Sequence, residues 1–175
     1  MSLPVDMSTT LGNAWFPTPI FTASGCASSG KELSQFFALK DVGAIVTKSV
    51  MAKPRHGRPT PRMAETPSGM LNSIGLQGPG IDAFLAHDLP WLIEQKARVI
   101  VSIAGETIEE YSTLARKLRS AAGISAVEVN ISCPNVENRG LGFLCDPDAS
   151  RRVIDGVRKT IGGELPIIAK LSPDV

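Results

Sequence analysis

Five apolar segments of the sequence end in a polar residue, and two of these residues are lysines. They are Ser24 after IFTA, Lys48 after AIVT, Ser102 after VIV, Asn130 after VEV and Lys170 after IIA. Lysine is rarely buried without a partner, so two lysines at the ends of apolar segments predict an anion between them. For Ser24 and Ser102 the position is equally consistent with an ordinary strand end, where chains become polar.

Cys133 adds a group that can take part in proton transfer. It lies just beyond the fourth apolar segment, in NISCPNVENRG, between Asn130 and Asn135. A thiol has a reference pKa of about 8.5, and it acts as a base near neutral pH where neighbouring cations lower that value. A lone cysteine is more often an inert small apolar residue, and we interpret Cys26 and Cys145 in that way.

The five apolar segments themselves are typical of β-strands. They are short, contain β-branched residues and are bounded by Gly, Pro or polar residues; they span residues 19–25, 42–49, 98–105, 125–132 and 165–172. Strands that are apolar on both faces indicate a parallel sheet covered by helices.

Helical patterns fill most of the sequence between these strands. Helices are predicted over residues 31–39, 81–95, 107–123 and 146–163. Thr107 is placed to cap the third of these helices and Gly123 to end it, whereas Pro90 should break or kink the second. Residues 50–79 are rich in Pro and Gly and too long for a simple connection, so we predict a functional loop there.

Repeated βα units indicate either an open doubly wound sheet or a (β/α) barrel. No GxGxxG follows the first strand and no GxxxxGK[ST] occurs, which favours the barrel. Because a (β/α)8 TIM barrel has eight strands and typically about 250 residues, this chain would supply about the first five strands. Residues 1–175 are therefore predicted to form a single, incomplete barrel domain, with the polar strand ends at the active-site mouth.

Charge and composition exclude several classes of function. Eighteen basic and seventeen acidic residues are scattered along the chain, so neither nucleic acid nor a membrane surface is a predicted partner. The three cysteines form no CxxC pair, which predicts neither a metal site nor a disulfide framework. The sequence begins with no signal-peptide pattern and has no apolar stretch near the roughly 20 residues that span a bilayer. A reducing cytoplasm is the predicted location.

Longer motifs resemble one family. TASG (22–25), GAIVTKS (43–49), ETPSGMLNSIGLQGPG (65–80), HDLPWL (87–92), VEVNISCPNV (127–136) and AKLSPDV (169–175) resemble dihydroorotate dehydrogenases of the soluble class. Within that class they are most similar to the NAD-linked 1B form. The similarity runs in order from about residue 11 to the C-terminus, and the NISCPNV and MLNSIGLQ blocks carry most of its weight.

The resemblance implies an eight-stranded barrel that holds FMN at the strand C-termini and oxidises dihydroorotate to orotate in pyrimidine (UMP) biosynthesis. The positions it implies for FMN contact are Ser24, Lys48, Ser49, Ser102, Asn130 and Lys170. The positions it implies for substrate contact are Lys48, Asn72, Ser73, Ile74, Gly75, Leu76, Asn130 and Asn135. Ser102 stands where relatives usually carry Asn, which shortens one FMN contact.

The resemblance also implies the roles of these groups. Cys133 would remove a proton from one carbon of dihydroorotate while hydride leaves its neighbour for the flavin, so the base must lie on the substrate face opposite the flavin. A lysine at the pyrimidine edge would stabilise the charge of reduced flavin. The long loop that carries Asn72 would close over the substrate and exclude water.

The implied partners are a second copy of the subunit and an iron–sulfur flavoprotein that carries FAD and a [2Fe-2S] cluster and passes electrons to NAD. Fumarate use by a homodimer stays open. Two alternatives also stay open: reduction of uracil-like pyrimidines, as in the related domain of dihydropyrimidine dehydrogenase, and a catalytically silent half-barrel. The glycine-rich loops that hold the FMN phosphate in the family belong to strands beyond the five predicted here.

Overall fold

The computed structural model describes residues 5–132 and 146–172. The strands in these ranges are β1 (Thr9–Leu11), β2 (Ala14–Phe16), β3 (Ile45–Val46), β4 (Met63–Thr66), β5 (Gly69–Asn72), β6 (Val99–Ile103), β7 (Ile124–Asn130) and β8 (Ile167–Lys170). The helices are α1 (Ile81–Ala83), α2 (Leu89–Glu94), α3 (Ile108–Arg119) and α4 (Pro147–Ile161). None of the helices within the described ranges is long and apolar enough to cross a membrane.

The centre of the fold is a four-stranded sheet with the order β3-β6-β7-β8, and every pair in it is parallel. The register pairs Ser102 with Glu128 and Asn130 with Lys170. All five residues of β6 are buried, as expected for a parallel strand covered on both sides. The predicted α/β architecture with a parallel sheet is therefore confirmed.

The predicted first strand, residues 19–25, is wrong as a regular strand. It makes a single parallel bridge, Phe21 with Ala44. The next ladder position is taken by a side chain, because the Val46 amide donates to the Thr22 hydroxyl at 2.9 Å instead of to a backbone carbonyl. A threonine hydroxyl that competes with the backbone in this way interrupts a ladder. The sheet therefore has four strands in the described ranges, with this segment alongside β3.

The two faces of the sheet pack differently. Val127, Val129 and Ile131 point towards α3 and α4 and share a core with their buried side chains, which are Tyr111, Leu114, Ala115, Leu118, Val153, Val157 and Ile161. The alternate residues of the sheet form a second cluster on the opposite face, made of Phe16, Ala44, Val46, Ile100 and Ala126, with Ile168 against it. We call this opposite face the inner face, because it is the face that a closed barrel would enclose.

The predicted helix starts are confirmed by their caps. The Thr107 hydroxyl accepts from the Glu110 amide at 3.2 Å, and the Asp146 carboxylate accepts from two amides of the first turn of α4. Helix α3 ends at Arg119, four residues before the predicted stop; Gly123 instead has a φ of +84° where the chain turns into β7.

Pro90 does not break the helical segment as predicted: the segment continues without a gap from residue 81 to residue 94, and only its hydrogen-bond pattern changes just before the proline. A π-helical turn over Phe84–Asp88 separates α1 from α2, and Pro90 lies in the first turn of α2. Proline has no amide hydrogen, so it is tolerated at a helix start and not in the interior. The helix predicted over residues 31–39 is replaced by two short 3-10 turns, Leu33–Gln35 and Leu39–Asp41.

Two antiparallel hairpins were not predicted: β1 with β2, and β4 with β5. The second lies within the long loop, and all eight of its strand residues are exposed. The two arms of this loop are joined near its base, since Arg55 and Gly78 exchange backbone hydrogen bonds of 2.9 and 3.0 Å. Arg55 also forms an ion pair with Glu106 at 2.7 Å.

Candidate active site

Three buried polar side chains meet at the carboxyl ends of the central strands. The Asn130 amide nitrogen donates to Ser49 Oγ at 2.9 Å, and Ser49 Oγ lies 3.0 Å from Ser102 Oγ. The orientation of the Asn130 amide is fixed by Ser132, whose amide and hydroxyl both donate to Asn130 Oδ1, at 3.1 and 2.8 Å. The amide nitrogen must therefore face Ser49.

The surroundings hold this network in place. Thr47 Oγ1 accepts from the Ser102 amide at 3.1 Å, and Tyr111 of α3 donates its hydroxyl to the Asn130 carbonyl at 2.7 Å. Both of these hydrogen bonds are buried. The backbones of Ser102 and Asn130 are thus each held by a side chain of a neighbouring segment, which pre-organises the polar atoms of the network.

Lys170, the last residue of β8, is held by the segment that precedes the sheet. Its ammonium donates to Ser24 Oγ at 2.7 Å, across 146 positions of sequence. Lysine has three donor hydrogens, so this contact fixes the ammonium and leaves donors for a ligand. Ser24 and Lys170, predicted at two strand ends, are therefore brought together.

Lys48 lies at a cavity of about 590 Å³ beside the long loop. The cavity lining includes Ser49, Arg55, His56, Gln77 and Asp88. Among the described candidate residues, only Lys48 and Ser49 line it. The cavity is large enough for a small planar substrate. The prediction that an anion lies between Lys48 and Lys170 stays a prediction.

The candidate substrate-contact residues of the long loop, residues 72–76, divide into an outer part (72–74) and an inner part (75 and 76). Asn72 is exposed at the end of β5, and the Ser73 amide beside it donates to the Arg62 carbonyl at 2.8 Å. The Ile74 carbonyl accepts from the Arg58 amide at 3.0 Å. Asn72 and Ser73, two of the predicted substrate-contact residues, thus lie at the hairpin end of the loop.

Gly75 and Leu76, the inner part, are both buried, and Leu76 lies against the end of β6. Leu76 packs with Met51 and Ala104, and Ala104 directly follows β6. Both residues have positive φ, +79° for Gly75 and +55° for Leu76. A Cβ on Gly75 would lie 2.9 Å from the Arg58 amide nitrogen. Glycine is therefore required where this part of the loop passes close to Gly57 and Arg58 in the other arm of the same loop.

Cys133 and Asn135, the predicted base and one predicted substrate contact, lie outside the described residues. Cys133 directly follows Ser132 in sequence, and Ser132 is bonded to Asn130 as described above. Cys26 is exposed and free, so burial gives no support to its interpretation as a structural apolar residue. Cys145 is outside the described ranges.

One buried acidic residue was missed by the sequence analysis. Glu128, in the middle of β7, is 9% exposed, and its Oε1 atom has no hydrogen-bond partner among the described residues. The signal was present in the sequence, since Glu128 interrupts the apolar run VEV. No group of three or more His, Cys, Asp or Glu side chains that could hold a metal ion occurs in the described part of the chain.

This arrangement suits a planar ring with amide edges. Asn130 presents an oriented amide, the two serines present hydroxyls that both donate and accept, and Lys170 presents a cation. The donors and acceptors are fixed before a ligand arrives, which lets them align a ring without reorganisation.

Comparison with known proteins points to one family. A family model described as dihydroorotate dehydrogenase matches residues 6–175. A protein of Geotalea daltonii named dihydroorotate dehydrogenase B (NAD(+)), catalytic subunit, is 46% identical over 170 residues, which is 97% of this chain and 55% of the relative. Proteins of the same name from Listeria monocytogenes and Desulforudis audaxviator are each 44% identical, over 157 and 173 residues, covering 90% and 99% of this chain and 51% and 56% of the relatives. The chain spans about half the length of these relatives.

Proposed function

Because this chain belongs to the dihydroorotate dehydrogenase family, we propose that it forms part of a catalytic subunit that oxidises dihydroorotate to orotate in pyrimidine biosynthesis. The observation that carries the proposal is the oriented network of Asn130, Ser49 and Ser102 beside Lys170, at the carboxyl edge of a parallel sheet. In (β/α) barrels this edge holds the active site. The four-stranded sheet is accordingly a segment of an eight-stranded barrel.

The described residues fit FMN as the cofactor. The network offers an amide nitrogen and two hydroxyls for the polar edge of the ring, and Lys170 offers an ammonium that Ser24 holds at 2.7 Å. Bound FMN would supply the two-electron acceptor for the oxidation. Ser102 is too short to reach as far as the asparagine usual in relatives, so its hydroxyl completes the network through Ser49.

The substrate would lie towards the long loop. Lys48 lines the cavity there and can bind a carboxylate, and the loop residues 72–76 reach the same edge through Leu76. Asn130 can hydrogen-bond the amide edge of the substrate ring as well as the cofactor, and Asn135 follows it in the same motif. These contacts would orient dihydroorotate and, with the loop above it, exclude water.

Cys133 is the proposed base. It would take the proton from the substrate carbon, and its place three residues after Asn130 puts it in the segment that leaves the carboxyl edge. A cysteine thiolate is a competent base near neutral pH when cations lie nearby. The cations proposed to stabilise the Cys133 thiolate are Lys48 and Lys170, which lie at this edge of the sheet.

The names of the relatives extend the proposal to a partner. They are called NAD(+)-linked catalytic subunits, which favours a separate electron-transfer subunit with FAD and a [2Fe-2S] cluster over fumarate use by a homodimer. A second copy of the subunit is the other proposed partner. A uracil-type substrate is not favoured by any of these names.

The test is to purify the complete catalytic subunit, identify its released cofactor and titrate it anaerobically with candidate substrates. We expect FMN, and we expect dihydroorotate to bleach its absorbance while dihydrouracil does not. Bleaching by dihydrouracil alone would assign the site to the dihydropyrimidine dehydrogenase type. A subunit that binds no flavin would refute the proposal.

A further inference from the structure

The Tyr111 hydroxyl reaches the site from the helix layer, and the proposed mechanism does not use it. Tyr111 lies near the start of α3, is 2% exposed and packs in the core between the helices and the sheet. Its hydroxyl donates to the Asn130 backbone carbonyl at 2.7 Å in a buried hydrogen bond. A helix residue is therefore bonded directly to the backbone of the residue whose side chain is proposed to bind the ring.

Packing explains an aromatic ring at position 111 but not its hydroxyl. The ring is enclosed by the core that α3 and α4 share with β7. A phenylalanine would fill the same space without burying a polar group, and a buried hydroxyl costs free energy unless it is hydrogen-bonded. The tyrosine is therefore explained by the carbonyl that its hydroxyl binds.

This carbonyl lies where β7 has lost one of its two neighbouring strands. The register with β6 ends at Ile103 opposite Val129, so Asn130 extends one residue beyond that strand. On the other side Asn130 and Lys170 are the last pair of the ladder, and the Ile131 amide bond to the Lys170 carbonyl is 3.3 Å, longer than the usual value of about 2.9–3.0 Å. Tyr111 thus supplies a donor where the sheet holds this backbone from one side.

The Tyr111 ring is itself closely confined. The Thr107 hydroxyl caps the start of α3 by accepting from the Glu110 amide at 3.2 Å. The chain that leaves β6 passes so close to the helix that a Cβ on Gly105 would lie 3.2 Å from Tyr111 Cδ2. Confined by Gly105 and by the core, the ring holds its hydroxyl at one place relative to the end of β7.

We propose that Tyr111 is a positioning residue of the site: its hydroxyl fixes the backbone of Asn130 and thereby the place at which the Asn130 amide meets the ring of the cofactor or substrate. This inference rests on the proposed function. Asn130 carries both contacts, since its carbonyl accepts from Tyr111 and its amide nitrogen donates to Ser49 at 2.9 Å. A displaced aligning group lowers the rate, because alignment depends on distance and angle.

The experiment is anaerobic stopped-flow reduction of the complete, FMN-loaded catalytic subunit by saturating dihydroorotate, with thermal denaturation of the same samples. Tyr111→Phe keeps the ring and removes the donor, and it should slow flavin reduction roughly threefold to tenfold, the factor that corresponds to one hydrogen bond. Val157→Ala is the matched control, since Val157 is buried in the same core on α4. It should lower the melting temperature and leave the rate unchanged, and a merely structural role predicts the same for Tyr111→Phe.

Two further variants test whether the effect passes through Asn130. In Asn130→Ala the amide that Tyr111 positions is absent, so adding Tyr111→Phe should change the residual rate little. Gly105→Ala retains every polar group and pushes the Tyr111 ring by a few tenths of an ångström. It should slow flavin reduction in the same direction as Tyr111→Phe, and this loss should also disappear in the Asn130→Ala background.

The failures are distinguishable. A wild-type rate in Tyr111→Phe, or an equal fold loss with and without the Asn130 amide, would overturn this inference and leave the proposed function standing. A wild-type subunit that binds no FMN, or that dihydroorotate does not reduce, would overturn the proposed function as well. If Tyr111→Phe does not fold, Gly105→Ala decides: a wild-type rate, or a loss that persists in the Asn130→Ala background, contradicts the positioning role.

Discussion

At the scale of single residues, the site combines neutral groups that are fixed by hydrogen bonds with charges that are fixed by the fold. The sequence predicted the importance of Asn130 and Lys170 because both end apolar strands. It could not predict the contact between Lys170 and Ser24, since no local pattern encodes a meeting across 146 positions. It also missed Glu128, whose significance depends on burial.

Lys170 should control the ease of flavin reduction. We expect Lys170→Ala to lower the FMN midpoint potential and to slow the reductive half-reaction, because a cation that stabilises the anionic reduced form is removed. Stopped-flow measurement of flavin reduction by dihydroorotate gives the rate. Lys159→Ala is the matched control, since Lys159 is exposed on α4. Equal rates in the two variants would show that Lys170 does not face the cofactor.

At the scale of elements, predictions succeeded where the determinants are local. Helices α3 and α4 were identified from their apolar stripes, and Thr107, the cap predicted for α3, caps as expected. The hairpin β4–β5 was missed because both of its strands are exposed and therefore show no alternation of burial. The hairpin β1–β2 was also missed, although Gly12–Asn13 is a turn-type dipeptide between two short strands.

The long loop should depend on Gly75. With a φ of +79° and a virtual Cβ 2.9 Å from the Arg58 amide nitrogen, alanine at this position is strained by about 1–2 kcal/mol and must displace backbone. We expect Gly75→Ala to raise the KM for dihydroorotate severalfold or more while FMN stays bound. Steady-state kinetics with a cofactor assay on the same sample measures both.

Gly163→Ala is the control for that prediction. Gly163 is exposed between α4 and β8, and a Cβ there would have no heavy atom within 4 Å, so its kinetics should match wild type. If Gly75→Ala matched it, the loop would not form part of the substrate site.

At the scale of the whole molecule, the parallel sheet was predictable but its edges were not. Strand β8 pairs with β7 alone among the described strands. On the other side, the segment around Phe21 covers β3 through a single bridge. Five strands were predicted because composition marks a segment as apolar and extended. Strand pairing also depends on which backbone amides of the neighbouring strand are available, and the Val46 amide is already bonded to the Thr22 hydroxyl.

Residues 1–175, expressed alone, should self-associate and carry no FMN. No described strand pairs with the outer edge of β8, and large apolar side chains are exposed near both edges, with Ile20 at 60% and Leu171 at 63%. Size-exclusion chromatography with detection at the flavin absorbance band tests this. A yellow monomer that oxidises dihydroorotate would contradict it.

The central claim, that this site oxidises dihydroorotate with Cys133 as the base, is tested most directly by mixing the complete FMN-loaded subunit with dihydroorotate in the absence of oxygen. We predict rapid bleaching of the flavin in wild type, slow bleaching with an optimum at higher pH in Cys133→Ser, because a hydroxyl is a poorer base, and essentially none in Cys133→Ala with FMN still bound. Bleaching of Cys133→Ala at the wild-type rate near neutral pH would contradict the account.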